Sequence, residues 1–161
     1  MNTCMKSTTK TLIINLVIAV MPVLIVGLVG RLLTDTNSTW FVALNKPTEF
    51  PPNVVFSIMW SVIYLCFTAV LFLLLQRKQM DLFTLVTLLL TGIFQWAWSL
   101  VYFRLHSLLL GLVMLVVLAA LTAALFLALG KKDKLYLYIL AIYPMWLTLA
   151  TFLNLALWTI N

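Results

Sequence analysis

Charge is scarce in this chain. Its 161 residues include four Asp or Glu and ten Lys or Arg, together 9%. None falls clearly inside the long apolar stretches. Proton pumps and ion-coupled transporters carry buried ionisable groups as relays or ion sites, so their absence weighs against both. Cysteine is nearly missing too. Cys4 and Cys66 are too few and too separate for a zinc or iron–sulfur site. Cys66 lies deep in an apolar run and reads as a small packing residue, and a disulfide with Cys4 in the N-terminal tail is not expected. The single histidine, His106, sits beside Arg104 in a very short polar connection. It reads as a turn residue rather than a haem ligand, since no C-x-x-C-H motif is present. Ser57, Ser61 and Ser99 have no histidine or carboxylate neighbour on their helices, so interhelical hydrogen bonding accounts for them better than nucleophilic catalysis.

What is abundant is hydrocarbon. The composition is 65% apolar and the mean hydropathy is +1.15, far from the balance of a soluble domain. Runs of roughly 20 apolar residues read as membrane-spanning helices. Five are present, at 11–33, 52–75, 82–103, 107–129 and 135–160. The expected fold is therefore all-α, one membrane domain over 1–161 built as a bundle of five transmembrane helices. With five spans, Lys6, Lys10, Arg77, Lys78, Lys131, Lys132 and Lys134 share one side, against Arg31, Lys46 and Arg104 on the other. The positive-inside rule then places the N-terminus in the cytoplasm and the loop before Pro51 outside. The net charge of +6 arises largely from this bias and needs no nucleic-acid partner. The first span is too long for a cleaved signal and lacks an A-x-A site after it, so it reads as a retained anchor.

The most informative stretch is KPTEFPPNVVFSIMWSVIY, residues 46–64. Pro51 and Pro52 suit the first turn of a helix. From Pro52 the positions step by four to Phe56, Trp60 and Tyr64, which places an aromatic stripe on one helix face. In the third span Gln95, Ser99 and Tyr102 follow a similar spacing, flanked by Trp96 and Trp98. In the fifth, Tyr143, Trp146, Ala150 and Asn154 share a face that Trp158 continues. Gln95 and Asn154 are costly to leave unpaired in lipid and should face the bundle interior, each other or a ligand. Trp and Tyr also form belts at membrane interfaces. That accounts for Tyr136 and Tyr138, and can account for Trp40, Tyr102 and Trp158. Trp60 and Trp146 lie too far inside their spans, and with Gln and Asn they outline a site for a flat, largely apolar ligand with polar edges.

These features together resemble the translocator protein family, also called tryptophan-rich sensory proteins or peripheral benzodiazepine receptors. The resemblance rests on the K-P-x-x-x-P-P loop with Phe56, Trp60 and Tyr64, on Trp40, Phe41, Leu44, Lys46 and Pro47 in the first loop, on Trp98–Ser99, and on Trp146, Ala150 and Asn154. It implies a five-helix bundle, a homodimer in a bacterial inner membrane, and no obligatory cofactor. It also implies binding of porphyrins such as protoporphyrin IX or haem, and of synthetic benzodiazepine-site ligands. The implied pocket is lined by Trp40, Phe41, Pro47, Trp60, Gln95, Trp146, Ala150 and Asn154. Two departures from the family pattern bear on ligand fit: Glu49 stands where an aromatic residue is usual, and Gln95 stands for asparagine. Three functions follow from the resemblance: a tetrapyrrole-binding sensor, which we favour, a transporter of the same ligands, and an enzyme that degrades porphyrin in light. Gly92, with Trp96 in the third span, is the expected dimer contact.

The charge asymmetry predicts that a reporter fused after Asn161 behaves as extracytoplasmic in the native membrane. Cytoplasmic behaviour would reverse the orientation while leaving the span count intact.

Overall fold

The computed structural model describes residues 2–48 and 50–161, with side chains from residue 9 onward. The side chains of Cys4, Lys6 and Glu49, on which expectations above rest, lie outside the described residues. The described chain consists of helices and their connections. Helix α1 is Asn2–Leu33, α2 Thr39–Ala43, α3 Asn53–Gln76 and α4 Leu82–Ser99. A π-helical turn, Leu100–Arg104, extends α4, and α5 (Leu108–Gly130), α6 (Lys134–Leu140) and α7 (Ile142–Ile160) complete the chain. Thr9–Leu33, Asn53–Gln76, Leu82–Arg104 and Leu108–Gly130 are each long and apolar enough to cross a membrane. Helices α6 and α7, bent by 40°, make the fifth span when taken together.

Local chemistry sets the helix ends. Ser38, Asp81, Ser107 and Asp133 are N-caps whose side chains accept from the backbone N–H groups of Phe41, Thr84, Leu110 and Leu135. Pro51 and Pro52 precede α3 rather than form its first turn. Pro52 is the cap, and its carbonyl accepts from Val55 N at 2.9 Å. The break between α6 and α7 follows from Pro144. It has no N–H for the Leu140 carbonyl, and its ring crowds that carbonyl, so the helix parts at Ala141.

The helices close into a ring. Helix α1 lies between α3 and α4, α4 packs along α5, α5 along α7, and α6 returns to α3. Gly27 and Gly30 let α1 approach α3 closely, because a Cβ on Gly27 would meet the Tyr64 ring at 3.2 Å. The α3–α6 approach is close, but α3 and α7 approach at few places, and aromatic side chains fill the space between them. That division positions the site at the end of the ring nearest the first loop.

Several residues differ from the sequence reading. Tyr136 is not an interface anchor: it is fully buried, and its hydroxyl donates to Gln79 Oε1 at 2.5 Å. Tyr102 is buried as well, whereas Tyr138 is 75% exposed, as an anchor should be. Trp158 does not continue the inner face of the fifth span. It points outward, and Leu157 is buried in its place. Ser57 and Ser61 are exposed and donate to their own helix, to the carbonyls of Asn53 and Ser57, rather than between helices. Gly92 faces α1 of its own chain, where a Cβ would come within 3.1 Å of Val26 Cγ2. A larger residue there would therefore press on α1 first, so Gly92→Leu does not report on a dimer.

At the end of the bundle opposite the first loop, two ion pairs join the α3–α4 connection to the α5–α6 connection. Arg77 Nη1 lies 2.5 Å from Asp133 Oδ2, and Lys132 pairs with Asp81. The Lys132 ammonium and the Thr84 N–H hold the Asp81 carboxyl down at about 2. The Leu135 N–H, and then Arg77, lower Asp133. Both carboxylates have folded values below their unfolded ones, so the stability they add is present above the ordinary carboxylate range and lost as pH falls through it. The thermal midpoint in detergent should drop as pH falls from 3.8 towards 2. In Asp81→Asn it should start lower at neutral pH and fall less steeply. An equally steep fall would show that other groups set the acid response.

Candidate functional site

The site lies under the first loop and is built from two strings of aromatic rings. On the α3–α7 side, Phe50 stacks on Phe56 at 5.7 Å between centroids, and Phe56 meets Trp146 edge-on at 5.4 Å. Trp146 in turn stands perpendicular to Trp60 at 6.5 Å, and Trp60 stacks on Tyr64. The four-residue spacing of Phe56, Trp60 and Tyr64 on α3 brings them to one face, as the sequence predicts. On the α4 side, Trp98 stacks on Tyr102 at 5.5 Å, and Tyr102 touches Trp40 and Phe41. Phe41 and Phe50, 6.4 Å apart, join the two strings beneath the roof.

The second string ends in the π-helical turn. Leu105 N donates to Leu100 O across five residues, at 3.0 Å. Within that turn the consecutive Tyr102 and Phe103 are both buried. The chain then leaves through His106, whose φ of 54° lies in the left-handed region. His106 is exposed, and its ring stacks on Trp40 at 4.5 Å with 14° between planes. The polar-turn reading of His106 therefore holds, with the added role of bracing α2.

The roof is tied down at three points. Lys46 Nζ donates to Phe41 O at 2.6 Å and lies 4.6 Å above the Phe41 ring. Pro47 O accepts from Phe50 N at 3.0 Å, closing a turn. Asn161 clasps the loop with its amide: Nδ2 donates to Asn45 O at 3.0 Å, and Oδ1 accepts from Asn45 N at 2.9 Å.

Beneath the roof, polar groups are buried without protein partners. Gln95, Trp146 and Asn154 are each at most 5% exposed. Gln95 Oε1, the indole N–H groups of Trp98 and Trp146, and both amide atoms of Asn154 have no hydrogen bond within the protein. Gln95 and Asn154 face the interior as expected, but they do not pair with each other. Each orphaned group costs about 1–3 kcal/mol while it stays unpaired. Trp146 and Asn154 are eight residues apart on α7, so these groups span about 12 Å of helix rise. The half-buried Ala150 lies between them and packs against the Trp146 cluster. Helix α5 passes behind through Gly111. A Cβ there would lie 2.9 Å from Asn154 Nδ2 and 3.0 Å from Tyr102 Cδ2.

The structure thus gathers Trp60, Gln95, Trp146, Ala150 and Asn154 in the interior, and puts Trp40, Phe41 and Pro47 in the roof. Sequence reasoning missed Phe50, Tyr102 and Gly111 as parts of this site. Phe50 carries a signal in its place beside the proline pair. Tyr102 carries one in the spacing it shares with Gln95 and Ser99, although its place near a helix end also suits an interface anchor. A separate groove of about 540 Å³ lies on the outer face between α5 and α7, walled by Ala119, Ala123, Phe126, Pro144 and Phe152 among others. Its Thr122, Thr148 and Thr151 return their hydroxyls to their own helices, so it offers only hydrocarbon and is remote from the polar groups.

The model of the TspO/MBR family matches residues 18–159. The chain belongs to the TspO/MBR family. It is similar to the tryptophan-rich protein TspO of Archaeoglobus fulgidus, 27% identical over 157 residues that cover 92% of this chain and 98% of that one. It is 28% identical over 130 residues to protein CrtK of Rhodobacter capsulatus, covering 76% and 78%. It is 27% identical over 134 residues to the tryptophan-rich protein TspO of Bacillus cereus, covering 83% and 88%. TspO/MBR membership and the apolar helices together make this an integral, multi-pass membrane protein.

Within this TspO/MBR bundle, Gly111 should tolerate no side chain. Alanine improves helix propensity by roughly 0.5–1 kcal/mol. The 2.9 Å approach to Asn154 forces a shift of the kind that costs typically 1–3 kcal/mol. Gly111→Ala should therefore lower the thermal midpoint. A higher midpoint would show that the Asn154 amide moves aside freely.

Proposed function

We propose that this protein is a tetrapyrrole-binding sensor or regulatory protein, with its ligand held beneath the first loop. One observation carries the reading: two strings of aromatic rings enclose neutral polar groups that lack protein partners. A flat, conjugated ligand offers ring faces to Trp60 and Trp146 and can bring polar groups to the orphaned atoms. Protoporphyrin IX and haem are the proposed ligands, held by ring contacts without axial ligation of iron. Arg31, exposed near the end of α1, is the proposed partner of the propionates, since Lys46 and Arg104 are already engaged with the carbonyls of Phe41 and Leu32. The reading extends to benzodiazepine-site ligands, to a homodimer in a bacterial inner membrane, and to a cytoplasmic N-terminus.

Titration of the purified protein with protoporphyrin IX tests this directly. Trp60→Ala and Trp146→Ala should each weaken binding about tenfold or more. Aromatic contacts contribute about 0.5–1.5 kcal/mol beyond the area they bury, and each 1.4 kcal/mol is tenfold. Tyr138→Ala, on the exposed surface, should change little. Equal losses in all three variants, with the fold intact, would overturn the placement of the pocket. Product analysis after illumination separates simple binding from turnover of the porphyrin, and flux into vesicles separates it from transport.

A further inference from the structure

The orphaned groups under the roof form a specific inventory. Two indole N–H groups, of Trp98 and Trp146, and the Asn154 NH2 need acceptors. Gln95 Oε1 and Asn154 Oδ1 need donors. All are neutral, and the buried polar residues around them are Thr, Gln, Ser and Asn, with no cation among those described. A carboxylate brought to this depth would meet donors but no counter-charge, and an unpaired buried charge is strongly disfavoured. The ligand's charged groups must therefore stay at the roof. A closed porphyrin meets this site mainly through its ring faces and answers the inventory only in part. Its rim is C–H and alkyl, and its nitrogens face the centre of the ring. An open-chain tetrapyrrole differs at its two ends, where terminal rings carry a lactam with N–H beside C=O.

From this inventory we infer that the site reads a lactam edge, and that among tetrapyrroles it selects the open-chain form over the closed ring. The inference rests on the tetrapyrrole reading above and narrows it. The Asn154 amide pairs with a lactam reciprocally, Nδ2–H to the lactam carbonyl and lactam N–H to Oδ1. Asn154 is held ready for this by its packing on Gly111 beside Tyr102, which in turn stacks on Trp98. The indole N–H groups of Trp98 and Trp146 supply further donors to the ligand's carbonyls, and Gln95 Oε1 accepts from a pyrrole or lactam N–H. The vertical spread of these groups, about 12 Å along α7, lets both ends of one ligand be met.

The test compares biliverdin dimethyl ester with protoporphyrin IX dimethyl ester on the full-length protein in nanodiscs. Both are uncharged at the carboxyl positions and carry four pyrrole-type rings; they differ in ring closure and in the terminal lactams that opening creates, and the Asn154 variant isolates the lactam. The wild type should prefer the biliverdin ester by about tenfold or more, the scale of one or two buried hydrogen bonds. In Asn154→Leu the ratio of the two affinities should fall to within about twofold of one, and Tyr138→Leu should keep the wild-type ratio. Without ligand, Asn154→Leu should also raise the thermal midpoint, because it removes two orphaned polar atoms. Equal affinities in the wild type would overturn the lactam inference and leave porphyrin binding standing. So would an unchanged ratio in Asn154→Leu. A lowered midpoint would assign the amide to packing and overturn the inference as well. Binding of neither ester would overturn this inference together with the tetrapyrrole reading.

Discussion

A bilayer supplies no hydrogen-bond partners, so every polar group in the interior of this bundle must find one within the protein or remain unpaired. Much of the structure follows from that constraint. Thr68, Thr87, Thr91, Thr122 and Thr151 return their hydroxyls to the carbonyl four residues back on their own helix, at 2.7–2.9 Å. Trp96 crosses to α1 and donates to Val26 O, and Arg104 donates to Leu32 O at the end of the same helix. These two bonds hold α1 against α4, where one side is otherwise exposed hydrocarbon. Gln76 Nε2 and Thr84 Oγ1 towards the opposite end are also unpaired, but most of the unpaired buried atoms described lie beneath the first loop, on Gln95, Trp98, Trp146 and Asn154, and such departures concentrate at functional sites.

Helix α4 shows the same constraint in an inverted form. Its buried positions, Thr84, Thr87, Thr91, Gln95 and Ser99, are all polar, while Leu82, Phe83, Leu85, Val86, Leu89 and Ile93 are exposed. The helix is inside-out relative to one from a soluble protein, because its outer face meets lipid. Its polar stripe ends at the π-helical turn, which redirects the chain so that Tyr102 and Phe103 close the top of the interior. Gln95 therefore belongs both to the site group and to a polar stripe that begins at the opposite end of the bundle and ends at Ser99.

The five apolar spans were legible from hydropathy alone, since the need to cross lipid leaves few alternatives. The aromatic stripe on α3 was legible too, because a four-residue repeat survives any detail of packing. The break at Ala141 could have been read from Pro144, whose ring must disturb the carbonyl of Leu140. Other features depended on tertiary structure. Tyr136 looks like an interface anchor by its position near a helix end, and only the partner Gln79 shows it turned inward; Tyr102 has a similar position, but its shared spacing with Gln95 and Ser99 competes with that reading. Trp158 follows the inner-face spacing from Asn154, yet helical drift over a further turn brings Leu157 inward in its place. Gly92 and Gly27 carry the same small-residue signal in sequence, and only the ring order of the helices shows that both serve contacts within one chain. The family resemblance gathered the site residues into one pocket. Composition and spacing alone gave its aromatic wall but not its roof.

The clasp between Asn45 and Asn161 joins the roof to the tip of α7, and the only break in that span lies at the other end of the same helix. Roof and helix are thus joined end to end, with the bend at Ala141. A helix of this length, roughly 28 Å for the 19 residues of α7, converts a rotation of about 5° at the bend into a tip displacement of roughly 2.5 Å. A tilt of α7 at Ala141, three residues before Pro144 on the wall of the outer groove, would therefore carry the roof with it.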